Sequence, residues 1–375
     1  MKVTMTLSRY MARTYVMNML FLLFALLGVI YLFDTVELVR RASKSDSVPL
    51  GLVLQMGLLK LPEVGQILFP FAVLFSAMLT FWQFNRHSEL VVLRSSGFSV
   101  WQFLMPVVAV ALCVGFLQVG VINPVGSLLV EKYERLEKEY LDKQDSQIAL
   151  FKEGLWLRQS TDGHILEDDD DVQKGYVILH ARKVKPPHWG LSQVSVFYFG
   201  QNDVFRMRAD AKSASLEPGR WVFEDVAIHR SGSVKISKPE MVLPTTLTIE
   251  DIEESFSSAE TVPFWALPAH IETLEQTGFD ASRLRVYFHS LLSQPLFFVA
   301  MVLLAASVSI RPPRMGGGLM LFAVGVFIGF VVFFVSSYLQ ALGSSNQIPP
   351  ILAAWSPAIV CFLYGVSAMI HLEDG

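Results

Sequence analysis

The sequence predicts an α-helical membrane protein: six transmembrane helices, three and three, around an inserted antiparallel, jelly-roll-like β domain held outside the cytoplasm. Three observations predict it. Of the 64 charged residues in a chain of 375, 46 fall between Glu131 and Arg285, whereas soluble domains spread about a quarter charged residues along their length. The flanking segments contain uncharged tracts as long as a membrane span, which takes about 20 residues. The insert itself breaks into short runs rich in β-branched and aromatic residues. This split excludes an ordinary soluble enzyme, and a net charge of −4 excludes a dedicated nucleic-acid binder.

The spans follow in order. Thr14 to Phe33 carries no Asp, Glu, Lys or Arg, and neither does Val64 to Asn85 or Ser95 to Val130. After the insert, Val286 to Ile310 is broken only by His289, and Met315 to Leu372 is long enough for two spans joined by a turn at Gly343 to Pro350. Helices are expected over about 14–36, 61–85, 99–130, 282–310, 316–341 and 349–371. The chain then divides into a first membrane half (1–130), a β domain (131–263) and a second membrane half (264–375). A cleavable signal peptide is the competing reading of the first tract, but the run is too long and no small-x-small site follows it.

Orientation follows from Lys and Arg in the short loops. With the N-terminus inside, Lys2, Arg9, Arg13, Arg86, Arg94, Arg311 and Arg314 are cytoplasmic, against Arg40, Arg41, Lys44 and Lys60 on the other side. Both termini are therefore expected in the cytoplasm and the insert in the periplasm. The only cysteines, Cys113 and Cys361, lie in apolar spans, so the outer domain has no disulfide and must be held by its own core.

Glu131 to Gln147 continues the third span outward as a helix. Beyond it, strands are expected at Gly154 to Arg158, Tyr176 to Arg182, Val194 to Phe199, Trp221 to Phe223, Val226 to His229 and Leu243 to Ile249, separated by turns such as Asp162-Gly163, Pro218-Gly219 and Ser231-Gly232. That spacing suits a sandwich or jelly roll and leaves the strand order open. A second helical pattern, Phe264 to Gln276, ends before Gly278, and Asp280 or Ser282 caps the fourth span.

The sequence is poor in catalytic constellations. No HExxH, Cys/His cluster, phosphate-binding GxxxxGK[ST] or GxSxG elbow occurs. Glu167 to Asp171 lacks the turn glycine of a Ca²⁺ loop and reads as solvated. His289 is a weak candidate, better read as hydrogen-bonded between helices. No catalytic or metal-ligating residue is expected.

Two basic features stand out. Arg40, Arg41 and Lys44 follow the first span on the outer side, either as snorkelling anchors or as a collar for lipid phosphate, which guanidinium binds bidentately. The loop 86–99 holds a short amphipathic helix that Ser88 can cap, with Leu90, Val91 and Leu93 as its apolar edge. It is either an interfacial anchor or a coupling helix that docks into an ATPase.

The run Ser88 to Phe98, SELVVLRSSGF, resembles the signature of the LptF/LptG (YjgP/YjgQ) permease family, the membrane subunits of the lipopolysaccharide exporter. Arg9-Tyr10, Pro62, Phe69-Pro70 and Gln294-Pro295-Leu296 extend the resemblance over nearly the whole chain, and Gly154-Leu155-Trp156 and Glu89 to Val92 look more like the LptG branch than the LptF branch. The resemblance implies a complex with an LptF-like permease, an LptB-like ATPase dimer, an LptC-like single-span protein and lipopolysaccharide, with no nucleic acid. This chain would hold no cofactor, ATP and Mg being bound by the ATPase.

By the same resemblance Arg86, Ser88, Glu89, Leu90, Leu93, Arg94 and Gly97 form the coupling helix, with Glu89 as its acidic contact. Arg40 and Arg41, with Lys44, would face lipid phosphates. Asp34 departs from the family, which often places a basic residue slightly earlier in the first span. Phe24, Phe69, Phe71, Phe327, Phe330 and Phe334 are candidate walls of an apolar cavity for acyl chains. Gly316 to Gly318, Gly325 and Gly329 are expected at a seam with the partner permease. Two rival classes are a sensor, which would need a cytoplasmic output module, and a lipid enzyme, which would need a catalytic constellation. A lipoprotein-export permease would have four spans.

Overall fold

In a computed structural model the described residues are 2–43, 48–141, 155–161, 175–185, 190–200, 204–230, 236–245, 258–276, 280–310 and 318–374. The chain forms two compact units, one of residues 1–141, 259–268 and 282–375, the other of residues 142–258 and 269–281.

The first unit contains six helices long and apolar enough to cross a membrane. They are α1 (Lys2–Ala42), α2 (Leu50–Arg86), α4 (Val100–Leu117) continued through a π turn (Gln118–Ile122) into α5 (Asn123–Tyr140), α7 (Ser282–Ser309), α8 (Gly318–Ser344) and α9 (Pro350–Asp374), with a short α3 (Glu89–Ser95) between α2 and α4. A 3₁₀ turn (Ala259–Thr261) and α6 (Leu267–Gln276) precede α7. Several helices run well past their apolar tracts, since flanking polar residues need not leave helical geometry where water or headgroups meet them. α2 carries Pro62 and Pro70 inside it without ending, as membrane-spanning helices tolerate proline better than soluble ones do.

α2 and α7 form the centre. α2 packs against α1, α5, α7 and α8, and α7 against α2, α4, α8 and α9. Their shared core includes Phe69, Ala77, Phe81, Phe103, Phe298 and Val302, all buried. The glycines of α8 face inward: a Cβ on Gly325 would lie 2.1 Å from Met78 Sδ, and one on Gly329 would lie 3.0 Å from Leu74. The seam expected at Gly325 and Gly329 is thus within this chain, where missing side chains let α8 approach α2. Gly316 and Gly317 lie outside the described residues.

The second unit takes in α6 from Ala269 onward and, among the described residues, one six-stranded antiparallel sheet: β1 (Leu155–Thr161), β2 (Gly175–Lys185), β3 (Gly190–Phe199), β4 (Phe205–Glu217), β5 (Arg220–Arg230) and β6 (Ile236–Pro244), in the order 1-2-3-4-5-6. The antiparallel β domain is as expected. Its described strands connect as a meander, each paired with its sequence neighbour, without the crossovers of a jelly roll.

Buried side chains alternate along each strand, but the spacing jumps at one level: Leu191 to Val194, Ala211 to Ala214 and Phe223 to Val226. Gln193 and Asp225 have φ of 56° and 54° there. The pairing skips one residue on each strand at Arg182, Gln193, Lys212, Asp225 and Pro239. Both strands of each pair skip together, so the register is unchanged across this line, and the positive φ at Gln193 and Asp225 resets the alternation so that one face stays apolar. The two edges approach: the Gln159 side-chain amide donates to the Pro244 carbonyl at 2.6 Å. Trp221, Phe223 and Val196 fill the concave side. On the outer face, burial pushes the Asp210 carboxyl up, but hydrogen bonds from Ser195 and Arg208 outweigh it and hold the carboxyl below its ordinary range.

Candidate functional site

α3 is built by its neighbours. Leu90 is 3% exposed and joins the main core with Leu93 packed beside it, while Val91 and Val92 point outward, 58% and 60% exposed. The helix ends in a Schellman motif: Gly97 N–H donates to Arg94 O, Phe98 N–H to Leu93 O, and Gly97 takes φ of +84°. Ser88 occupies the N-cap position, but its backbone is left-handed (φ 58°) and its hydroxyl makes no capping bond. A capping hydroxyl needs extended backbone to reach the N2 or N3 amide, so the capping role expected of Ser88 is not taken. Glu89 in the first turn supplies the favourable charge at that end instead.

Glu89 accepts a hydrogen bond from the Tyr10 hydroxyl at 3.3 Å, and the Tyr10 ring leans on Phe84 with centroids 5.7 Å apart. The guanidinium of Arg86 lies over the Trp82 ring at 5.2 Å. Ser99 caps α4 in a capping box with Gln102, and its hydroxyl donates to Glu373 near the end of α9. The start of α1, the 86–99 loop and the end of α9 therefore share one end of the helical unit. Tyr10 was not singled out as a partner for Glu89, and no local pattern signals a contact across so long a separation.

At the opposite end, Arg40 donates to both oxygens of Glu37, at 2.8 and 2.7 Å. Arg41 bridges Glu37 at 3.3 Å and Glu137 at 2.9 Å, and Tyr133 donates to the same Glu137 oxygen at 3.0 Å. Asp34 lies 3.6 Å from Lys60 of α2, whose ammonium sits 5.8 Å from the Tyr133 ring centroid. Lys60 thus brings a positive charge to Asp34 from one helix away, a relation that sequence order hides. Lys44 lies outside the described residues.

The six phenylalanines part company. Phe69 is 6% exposed and stacks on Phe298 at 6.1 Å, so it belongs to the core and is no surface wall. Phe71 meets Phe333 at 5.4 Å and lines a cavity of about 350 Å³ between α2, α7, α8 and α9. Phe24, Phe327, Phe330 and Phe334 are 61–68% exposed. Phe330 and Phe334 stack at 6.5 Å on one side of α8.

That cavity also carries polar groups. Phe264 N–H donates to Asn123 Oδ1 at 2.9 Å; Asn123 Nδ2 donates to Gln66 Oε1 at 3.1 Å and to the Tyr287 hydroxyl at 2.8 Å; Tyr287 donates to Gln66 Oε1 at 3.3 Å. Polar residues inside spans are the signal that could have found this group. Among the described residues no group of three or more His, Cys, Asp or Glu converges as a metal site.

Comparison with known proteins places this geometry. Residues 9–371 match the family "Lipopolysaccharide export system permease LptF/LptG". The chain is 24% identical over 369 residues to the lipopolysaccharide export system permease protein LptG of Escherichia coli K12, covering 95% of this chain and 96% of that protein. It is 24% identical over 370 residues to the protein of the same name from Haemophilus influenzae Rd, covering 95% of each.

Proposed function

The chain belongs to the lipopolysaccharide export system permease family LptF/LptG, and on that premise we propose that it is the LptG-type subunit of an ATP-driven exporter that lifts lipopolysaccharide from the inner membrane and passes it to a periplasmic bridge. The relatives named LptG and the LptG-like residues Gly154 to Trp156 and Glu89 to Val92 support that branch. The observation that carries the reading is α3, anchored by Leu90 and Leu93 while Glu89, Val91, Val92 and Arg94 remain at its surface. A chain without a nucleotide-binding motif must receive its work from another subunit, and this helix is the part shaped to receive it.

In this reading α3 docks into an LptB-like ATPase dimer, which binds ATP and Mg and hydrolyses the nucleotide. Both termini are cytoplasmic, and the β domain is periplasmic. The exposed apolar faces of α1 and α8 meet an LptF-like permease and, with it, enclose the acyl chains; Phe24, Phe327, Phe330 and Phe334 supply wall. Each CH₂ exposed to water on extraction would cost about 0.8 kcal/mol, so a closed apolar wall removes most of the barrier. Arg40 and Arg41 exchange Glu37 and Glu137 for lipid phosphate, with Lys60 adding positive charge beside Asp34. An LptC-like helix completes the complex.

Purifying the tagged chain from its native membrane tests this. An LptF-type permease, an ATPase and lipopolysaccharide should come with it; recovery of the chain alone, under conditions that preserve other transporters, would overturn the assignment. In the assembled complex Glu89→Lys should abolish ATPase stimulation or association, and a fully active mutant would reject the coupling role of α3.

A further inference from the structure

Four side-chain atoms around the cavity between α2, α7, α8 and α9 are fully buried and make no hydrogen bond among the described residues: Gln66 Nε2, Ser290 Oγ, Gln294 Oε1 and Ser336 Oγ. Lone orphans occur in many interiors, but four carried by residues that line one cavity of about 350 Å³ point to a common partner, because an unpaired buried polar group is costly. A dry void of this kind is expected only where the walls are apolar.

The chemistry of that partner is legible. The Phe264 amide fixes which end of Asn123 accepts, and Asn123 and Tyr287 then fix Gln66 Oε1 as an acceptor. The NH₂ of Gln66 is therefore left as a committed donor, while Gln294 Oε1 is an acceptor and the two serine hydroxyls serve either way. A cation is opposed by the Gln66 donor. An anion is opposed by Glu63 and Glu260, which are among the residues that line the same cavity. A neutral group that both donates and accepts fits all of them.

We infer that this cavity is a hydrated site for hydroxyl groups within the membrane-spanning part of the chain. The hydroxyls are those of bound water or of the sugar of a glycolipid; the second source rests on the transport function proposed above, and the first does not. Ser336 lies within the span Ala323–Ser344, and a polar group inside a span is costly unless it has a partner.

The test uses the complex in its membrane with the two native cysteines replaced, Cys113→Ala and Cys361→Ala. Ser336→Cys and, as a second reporter should the first fail to assemble, Ser290→Cys are reacted with neutral, water-soluble 2-hydroxyethyl methanethiosulfonate. Ala300→Cys, at a position that is fully buried and off the cavity wall, is the dry control. Only a hydrated thiol ionises readily enough to react, so the cavity reporters should label at least about tenfold faster than the control. Equal rates would overturn the inference. Repeating the measurement in vesicles of phospholipid alone and of phospholipid with lipopolysaccharide separates the two sources. Slower labelling with lipopolysaccharide assigns the site to sugar hydroxyls, and an unchanged fast rate assigns it to water.

Discussion

α2 and α7 are no more apolar than α1 and α8, yet they live in different surroundings. Mean hydropathy over their most apolar windows is 1.9 and 2.1 for the first pair and 2.5 and 2.0 for the second, while the buried shares are 56% and 67% against 11% and 17%. In water such a difference would be written into composition. In a bilayer, lipid tails solvate Leu and Phe as well as a neighbouring helix does, so association depends on close packing. α2 and α7 are central because Gly325 and Gly329 of α8 let side chains of α2 come close and because Pro295 and the alanines and serines of α7 leave room for its neighbours. α1 and α8 keep broad apolar faces that no described residue covers.

The sharpest test of that contrast is Gly325→Leu. The new side chain would overlap Met78 Sδ and Cε, the movable end of a buried side chain, and overpacking of this kind should lower membrane yield and the share of detergent-stable monodisperse material. Phe298→Ala opens a hole beside Phe69 in the buried core and should cost about 3–5 kcal/mol, read from the unfolding transition in detergent. The double change Phe330→Ala and Phe334→Ala should move stability by no more than about 0.5 kcal/mol, while lowering recovery of the partner permease or cross-linking to lipopolysaccharide. A destabilisation as large as that of Phe298→Ala would erase the distinction between the two pairs of helices. Smallest in stability is Arg40→Glu with Arg41→Glu, because exposed ion pairs contribute little. Assembly should survive and lipid cross-linking should fall; unchanged capture would make the pair anchors.

The same physics explains what the sequence made legible. Six spans, the α3 loop and the β insert follow from charge density and periodicity, which record whether a segment meets lipid or water. Neither records which neighbour a helix meets. Phe69 and Phe330 are alike in composition and context, yet one is core and the other surface. Gly325 and Gly329 signalled close approach but not the partner, which is α2. β4 escaped notice because FRMRADAKSASLE is rich in Ala, Ser and charge; strands on both sides supply its pairing. Ser88 has the right residue type for a cap and the wrong backbone, its φ and ψ of 58° and 14° standing against −67° and 152° at the capping Ser99. The polar relay of Asn123, Gln66 and Tyr287 joins three separate helices, beyond the reach of any local motif.

The π turn at Gln118–Ile122 gives the third span a phase. One extra residue in a helical turn rotates everything beyond it by about 100° relative to an unbroken α-helix. α4 accordingly packs on α1 and α7, whereas α5 packs on α2, and the opened turn offers the Gly120 carbonyl to Trp265 Nε1 at 3.3 Å. A cysteine or tryptophan scan along this span would therefore show two wave trains out of step, each of period 3.6, with the jump between Gln118 and Ile122. Deleting Gly120 would bring the trains into step and swing Tyr133 and Glu137 together away from Lys60 and Arg41, so the Arg41–Glu137 ion pair is timed by a turn many residues upstream of Glu137.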